Sequence, residues 1–250
     1  MNAETVRTLC ELNNSFYQRH GDSFSATRGA PWEGWQKSLA VLSDALAGEK
    51  LSVFDLACGN LRFAAFLMDA LPQMSIDFYA VDNCDDMVPQ LPSVSYQSLD
   101  VLDVLQGDSC INARLRAPIC DLSVAFGFMH HVPMQRLRGA VLEALIRQTR
   151  AGGQIIVSFW QFMKHKTLAD KARTAHERAT EELGLPQLDA GDYLLDWQGK
   201  ADAYRYCHSF EEGEIDELVA SVAGRAIPLA RFSADGRSGD LNSYLILRVL

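Results

Sequence analysis

The sequence predicts an α/β fold, a mostly parallel sheet with helices on both faces, and three observations carry that reading. From residue 51 onward, short apolar runs of strand length alternate with helix-period segments. Such alternation implies right-handed crossovers and a covered parallel sheet. The last two strand candidates instead flank a GRSGD turn, the signature of an antiparallel hairpin at a sheet edge. No internal repeat or low-complexity linker interrupts the chain, so a single domain over 1–250 is expected.

In chain order, residues 1–48 read as a helical cap. A helix over 3–20 carries Val6, Leu9, Leu12 and Phe16 at spacings of three and four, and the polar stretch GDSFSATRGA reads as a turn. Pro31 is placed to open a second helix at its first position. Its stripe is Trp32, Trp35, Leu39, Leu42 and Leu46, with Gly48 as its stop. Residues 50–160 form the core. LSVFDLA is a strand running into Gly59, and a helix over 61–71 follows, stopped by Pro72. SIDFYAVD is the second strand, trailed by a short helix around 85–90; SVSYQSLDV is the third and CDLSVAFGF the fourth. A helix over 134–149 presents Leu137, Val141, Leu145 and Ile146 before the fifth strand, AGGQIIVSFW. Residues 161–210 read as an insertion: a polar helix over 164–183, an irregular segment over 184–202 with Tyr193 and Trp197, and a short strand, ADAYRYCHSF. Residues 211–250 supply an amphipathic helix and the closing hairpin.

Composition narrows the function classes. The chain has 250 residues, 48% apolar and 22% charged, enough for a full core without staples. The absence of an 18-residue apolar run excludes a membrane-spanning helix, so no membrane partner is expected. The N-terminus lacks the basic-then-apolar pattern of a secretion signal. Six cysteines lie far apart with no C-x-x-C pair, which predicts reduced thiols, a cytoplasmic location and no structural metal. A metal site from His130 and His131 is not expected, because neighbouring residues should point apart. The net charge of −9 argues against a bare nucleic-acid binder, whose affinity rests on phosphate contacts. Seventeen of the 23 basic residues are arginine, whose fork suits planar anions.

The chemistry concentrates at the strand ends. VFDLACGNLRF (53–63) carries Asp55 into a turn of small residues, Ala57 and Gly59, beside Asn60, and then enters a helix. In an open parallel sheet this is where ligands bind. Ala57 and Leu61 stand where a dinucleotide site needs glycine, which weakens a nicotinamide oxidoreductase; a nucleoside bearing an amino acid fits better. Asp82 follows the second strand, 23 residues beyond Gly59, the distance at which an acid typically meets ribose hydroxyls. Asp100 and Val101 follow the third strand, where a carboxylate can accept from an exocyclic amine, and AFGFMHH follows the fourth.

Taken together, these segments resemble the class I S-adenosylmethionine-dependent methyltransferases over roughly residues 50–160. That resemblance implies a Rossmann-like, seven-stranded sheet whose last strand is antiparallel, and S-adenosyl-L-methionine as cofactor. It places Asp55, Ala57 and Gly59 around the methionine portion and Asp82 on the ribose. Asn83 and Met87 would lie near the adenosine, Asp100 and Val101 against adenine, and Phe126 under the sulfonium. Leu61 departs from the family's third small residue.

The outer segments FYQRHGDSFSATRGAPW (16–32), VSFWQ (157–161) and YRYCHSFEEGEIDELV (204–219) are similar to the eukaryotic tRNA wobble-uridine methyltransferases, which esterify 5-carboxymethyluridine. Cys207 departs from that family's tyrosine. The resemblance implies a modified nucleoside in tRNA as substrate and a small activator protein as partner. A small acid, phenol or amine metabolite is the alternative acceptor, and a catalytically silent binding module a further one. Arg28 and Arg205 can each fork onto a carboxylate, either the acceptor's or the cofactor's own. Tyr17 and Trp32 are placed to close over the cofactor. His131 and His208 are the candidate bases for a hydroxyl or amine acceptor. Residues 164–178 hold five bases against two acids and would rim the substrate mouth, or simply be a solvated helix face.

Overall fold

The computed structural model describes residues 1–27, 29–42, 48–89, 91–106 and 111–250, with 201 and 202 described by backbone alone. Helix α1 spans Ala3–Ala26. Asn2 caps it, its side-chain oxygen accepting from the Thr5 N–H at 2.8 Å. The expected polar turn at 21–30 is therefore corrected: through Ala26 it is helix. Gly21 costs an exposed helix about 1 kcal/mol against alanine. Here it is buried, and a Cβ would sit 2.6 Å from the Met87 Sδ. Phe24, one turn on, packs edge-to-face on Tyr17 with centroids 5.3 Å apart. Tertiary packing carries the helix through its glycine.

Helix α2 spans Glu33–Val41 with Trp32 as its N-cap residue, so Pro31 precedes the cap instead of opening the first turn. No side chain of the cap residue serves the helix start, but the Gly34 N–H donates to Asp235 Oδ1 at 3.0 Å. Leu46 lies outside the described residues.

The core follows as β1 (Lys50–Leu56), α3 (Arg62–Ala70), β2 (Ser75–Asp82), β3 (Val94–Ser98), α4 (Val101–Gln106), β4 (Cys120–Ala125), α5 (Gln135–Gln148) and β5 (Thr149–Trp160). Two local expectations change. The helix near 85–90 is a single 3-10 turn over Asp85–Met87, with Gln90 outside the described residues. The third strand stops at Ser98, and Asp100 caps α4 by accepting from the Leu102 and Asp103 N–H groups, each at 3.0 Å. After β5 come α6 (Lys166–Leu183), β6 (Asp192–Trp197), β7 (Lys200–His208), α7 (Glu212–Ser221), β8 (Ala226–Ala234) and β9 (Asn242–Val249).

The main sheet has seven strands in the order β3-β2-β1-β4-β5-β9-β8. The first five pair in parallel, and β9 runs antiparallel to both of its neighbours. Period-2 alternation sends successive side chains to two cores. Phe54, Ile155, Val157 and Leu245 pack on α5 and α7. Val53, Leu122, Ile156 and Ile246 pack on α2 and α3.

The segment 184–202, expected to be irregular, instead contributes β6 and the start of β7, an antiparallel hairpin registering Asp192 opposite His208 and Leu195 opposite Arg205. Small residues on α6 let it approach this hairpin closely: Ala179 packs with Leu194 and Tyr206, and Ala172 with Cys207. Asn13 ties α1 to β7 as a strand neighbour would. It accepts from the Tyr206 N–H at 2.7 Å and donates to the Tyr206 carbonyl at 3.2 Å. The N-terminal helix and the insertion thus form one wall beside the carboxyl ends of the parallel strands.

Candidate active site

The strand order reverses between β1 and β4, and their carboxyl ends open into one crevice roofed by α1 and the start of α2. Its floor is the turn after β1. Ala57, Gly59 and Leu61 all take left-handed backbone there, with φ of 62°, 53° and 58°. A Cβ on Gly59 would meet nothing within 4 Å, so that position faces open space. Leu61 bears a left-handed cost of about 1–2 kcal/mol. Full burial of its side chain in the core under α3 offsets that cost by a similar amount.

Asp82 holds this turn. Its Oδ2 accepts from the Gly59 N–H at 2.8 Å, and its Oδ1 from the Asn83 and Cys84 N–H groups at 2.8 and 3.0 Å. Burial nevertheless pushes its pKa up, the three N–H groups opposing. Asp55 is 2% exposed. Burial, with the nearby Asp82 charge, raises its carboxyl from 3.8 to about 8. Two desolvated acids side by side form a pocket suited to a cationic ligand.

At the far end, Asp100 Oδ2 accepts from Asn14 at 2.7 Å and from Asn83 at 3.1 Å, while Oδ1 serves the α4 backbone. All four acceptor positions of this carboxylate are engaged. A further donor could reach this carboxylate only in place of one of the two amides. Asn14, which sequence reasoning missed, is a polar residue of α1 whose partner lies 86 positions away. Val101 is buried at the start of α4, and Met87 lies over Gly21. Both line the crevice, as do Asn60, Tyr17, Trp32 and Phe126. Phe126 stands edge-to-face on Phe63 with centroids 4.7 Å apart.

The structure separates the four candidate catalytic residues. Arg28 lies outside the described residues. His131 lines the crevice, with both ring nitrogens engaged. Its Nδ1 lies 3.0 Å from the Tyr206 carbonyl oxygen and 3.3 Å from Asn13 Nδ2, and its Nε2 lies 2.8 Å from the Tyr17 hydroxyl. Against expectation, the adjacent histidines do not point apart. Their centroids are 4.1 Å apart, and the ligand atoms of His130, His131 and Cys207 fall within 4.8 Å of one another. The engaged nitrogens of His131 do not leave it open to an ion.

His208 does not line the crevice. Its side chain is buried between Asp192 (Nδ1 to Oδ1, 2.6 Å) and Glu214 (Nε2 to Oε1, 3.0 Å). Arg138 joins the same acids at 3.3 and 3.7 Å, and the Tyr206 hydroxyl donates to Asp192 at 2.7 Å. This buried network locks the hairpin to α5 and α7, and it corrects the reading of His208 as a base.

Arg205 is 6% exposed and enters no ion pair among the described residues. Its guanidinium stands 4.7 Å from the Phe24 ring centroid, 5.2 Å from Phe16, 5.9 Å from Trp197 and 6.0 Å from Trp160. Its Nε has no hydrogen-bond partner. Phe24 is the shared wall between this cage and the crevice. The basic stretch 164–178 is largely neutralised. Lys164 pairs with Glu212, Lys166 and Arg173 with Asp170, and Arg178 with Asp196.

No family model matches the chain. Among curated proteins it is similar to the tRNA (carboxymethyluridine(34)-5-O)-methyltransferase ALKBH8 of Mus musculus, 25% identical over 190 residues, covering 70% of this chain and 26% of that protein. The Arabidopsis thaliana tRNA (carboxymethyluridine(34)-5-O)-methyltransferase is 24% identical over 160 residues, covering 62% and 35%. The chain thus spans about a quarter of the length of the mouse relative. Among solved structures, a SAM-dependent methyltransferase of Methanosarcina mazei aligns with a TM-score of 0.58 at 15% identity, covering 84% of this chain and 97% of that one. The DhpI–SAM–HEP complex aligns with a TM-score of 0.59 at 17% identity, covering 96% and 97%. The chain therefore carries the class I S-adenosylmethionine-dependent methyltransferase fold.

Proposed function

We propose that this chain is an S-adenosylmethionine-dependent methyltransferase whose acceptor is a carboxylate. The observation that carries the acceptor is Arg205: a buried guanidinium with no acidic partner among the described residues, caged by four aromatic rings beside the crevice. A charge left unneutralised in such surroundings is costly unless a ligand completes it. A carboxylate matches the fork and is acceptor-only when ionised.

The crevice fits the cofactor by its donor set. Asp55 and Asp82 offer buried carboxyl oxygens where the amino-acid portion and ribose would lie, and Gly59 leaves open space at the floor. Asp82 retains acceptor capacity beyond its three backbone partners. Bound S-adenosylmethionine supplies a methyl group activated by a positive sulfur. A carboxylate oxygen is already a nucleophile, so the chain needs to position and desolvate it, not deprotonate it. Arg205 orients the acceptor, and Phe24, Trp160 and Trp197 exclude water around it. His131 acts through Tyr17, fixing that hydroxyl at the crevice wall.

Two carboxylate sources remain, and different observations favour them. The curated relatives act on carboxymethyluridine in tRNA. The net charge of −9 and the neutralised face of α6 favour a small acid. Incubation with methyl-labelled cofactor and either total tRNA or a metabolite extract, followed by mild alkali, separates them. A carboxylate acceptor gives label released as volatile methanol, from whichever fraction contains the substrate. An alkali-stable methylated product would overturn the carboxylate assignment, and absence of transfer in both fractions would support a silent binding module.

A further inference from the structure

We infer that Phe24 is the gate between the crevice and Arg205, and that it yields to an acceptor carboxylate in exchange for the guanidinium it covers. The inference deepens, and rests on, the reading of Arg205 as the acceptor's anchor. Arg205 does not itself line the crevice. Of the four rings that cage it, Phe24 alone among the described residues is also part of the crevice wall. It is the nearest of the four, 4.7 Å from the guanidinium against 5.2 Å for Phe16 and 6.0 Å for Trp160. A ligand in the crevice therefore meets Phe24 before it meets the charge.

The place of Phe24 in the fold lets it move. It sits half-buried in the last turn of α1, with Ser23, Ala26 and Thr27 exposed around it. The other three rings are held. Phe16 is buried in the body of the same helix, and Trp160 and Trp197 close strands β5 and β6. Side-chain rotation at such a partly exposed position is fast compared with turnover. With the ring in place, cation–π attraction holds the guanidinium, whose buried Nε has no hydrogen-bond partner. A carboxylate that displaces the ring makes two parallel charge-assisted hydrogen bonds with the fork, and these outweigh one cation–π contact in the same desolvated setting. A neutral acceptor offers no such exchange. Phe24 thereby selects for charge on the acceptor and keeps water from the guanidinium until that acceptor arrives.

The test needs no knowledge of the substrate. Phenylglyoxal condenses with accessible guanidinium groups, and peptide mass spectrometry reads the rate at Arg205. Arg138, 4% exposed and bound to Asp192, is the internal reference for a side chain as buried as Arg205 but behind no gate. Removing a gate that is shut at least about nine-tenths of the time raises the labelling rate about tenfold or more, so Phe24→Ala should do this at Arg205 and leave Arg138 unchanged. Phe24→Leu, which keeps apolar bulk but loses the ring, should lie between Phe24→Ala and wild type. In Phe24→Ala, acetate should slow the labelling of Arg205, and acetamide, its neutral counterpart, should not. Arg205 labelled rapidly in the wild type, or no faster in Phe24→Ala, would overturn the gate. So would parallel gains at Arg205 and Arg138 in both variants, which would make Phe24 a packing residue only. Equal protection by acetamide would overturn the selection for charge. A gate that opens on a guanidinium indifferent to acetate would instead count against Arg205 as the acceptor's anchor.

Discussion

The carboxylate of Asp82 reaches back from the end of β2 to the turn after β1, where its Oδ2 accepts from the Gly59 N–H at 2.8 Å. An acid expected to hold a ligand therefore also holds the loop that would receive it. Asp82→Ala should cost affinity and stability together. Three backbone N–H groups lose their acceptor, and about 1–3 kcal/mol of folding stability should go with them. Urea unfolding and cofactor titration on the same preparation check this. A variant of unchanged stability would contradict the structural half of the role.

Asp55 predicts a pH dependence. Its folded-state pKa is raised from 3.8 to about 8 by burial and by Asp82. Between those values the folded chain holds a proton that the unfolded chain has released. The stability contribution is therefore complete below about 3.9 and is lost as the pH rises through the folded value. Asp55→Asn removes the titration, so its stability relative to wild type should increase from pH 5 to pH 8. Denaturation at those two pH values measures it, and an unchanged difference would contradict the assignment. A cationic ligand beside Asp55 should also release protons on binding near pH 7, visible as buffer-dependent heat.

Arg205 separates function from stability. Arg205→Met retains the contact with the aromatic cage while removing a buried, unpaired charge. Folding stability should hold or rise, as replacement of buried charge by apolar volume often does. Methyl transfer should fall at least about tenfold, on the scale of one charge-assisted hydrogen bond, with cofactor affinity preserved. Equal loss of cofactor affinity would place Arg205 in the cofactor's shell.

His208 should behave in the opposite way. Removing it leaves Asp192 and Glu214 facing each other in a buried space beside Arg138. His208→Ala should therefore destabilise by about 1–3 kcal/mol, since each acid loses a hydrogen-bond partner while Arg138 still bridges them. At a temperature where the variant is folded, its cofactor affinity should match wild type. A selective loss of turnover in a fully stable variant would return His208 to the active site.

The sheet and the turn after β1 were legible because period, strand length and the placement of Asp55, Gly59 and Asp82 are local signals. The hairpin of β6 and β7 was not, because Asp192 occupies an inward position where a strand pattern asks for an apolar residue. That acid is acceptable only through His208, Arg138 and Tyr206, all distant in sequence or unreadable as its partners. The continuation of helix α1 through Gly21 is hidden for a similar reason, since the packing of Met87 over that glycine is a long-range contact. Asn13, Asn14 and the tie from Tyr17 to His131 depend on partners 69 or more positions away, which no window of sequence reveals.

The central claim is that the open space above Gly59 receives the cofactor. Its most direct test is calorimetric titration of S-adenosylhomocysteine into the wild-type chain and into Gly59→Val, whose side chain would project into that space. Saturable one-site binding by the wild type, lost in a folded Gly59→Val, is the expected result. No saturable heat with the wild type, or equal binding by both proteins, would contradict it.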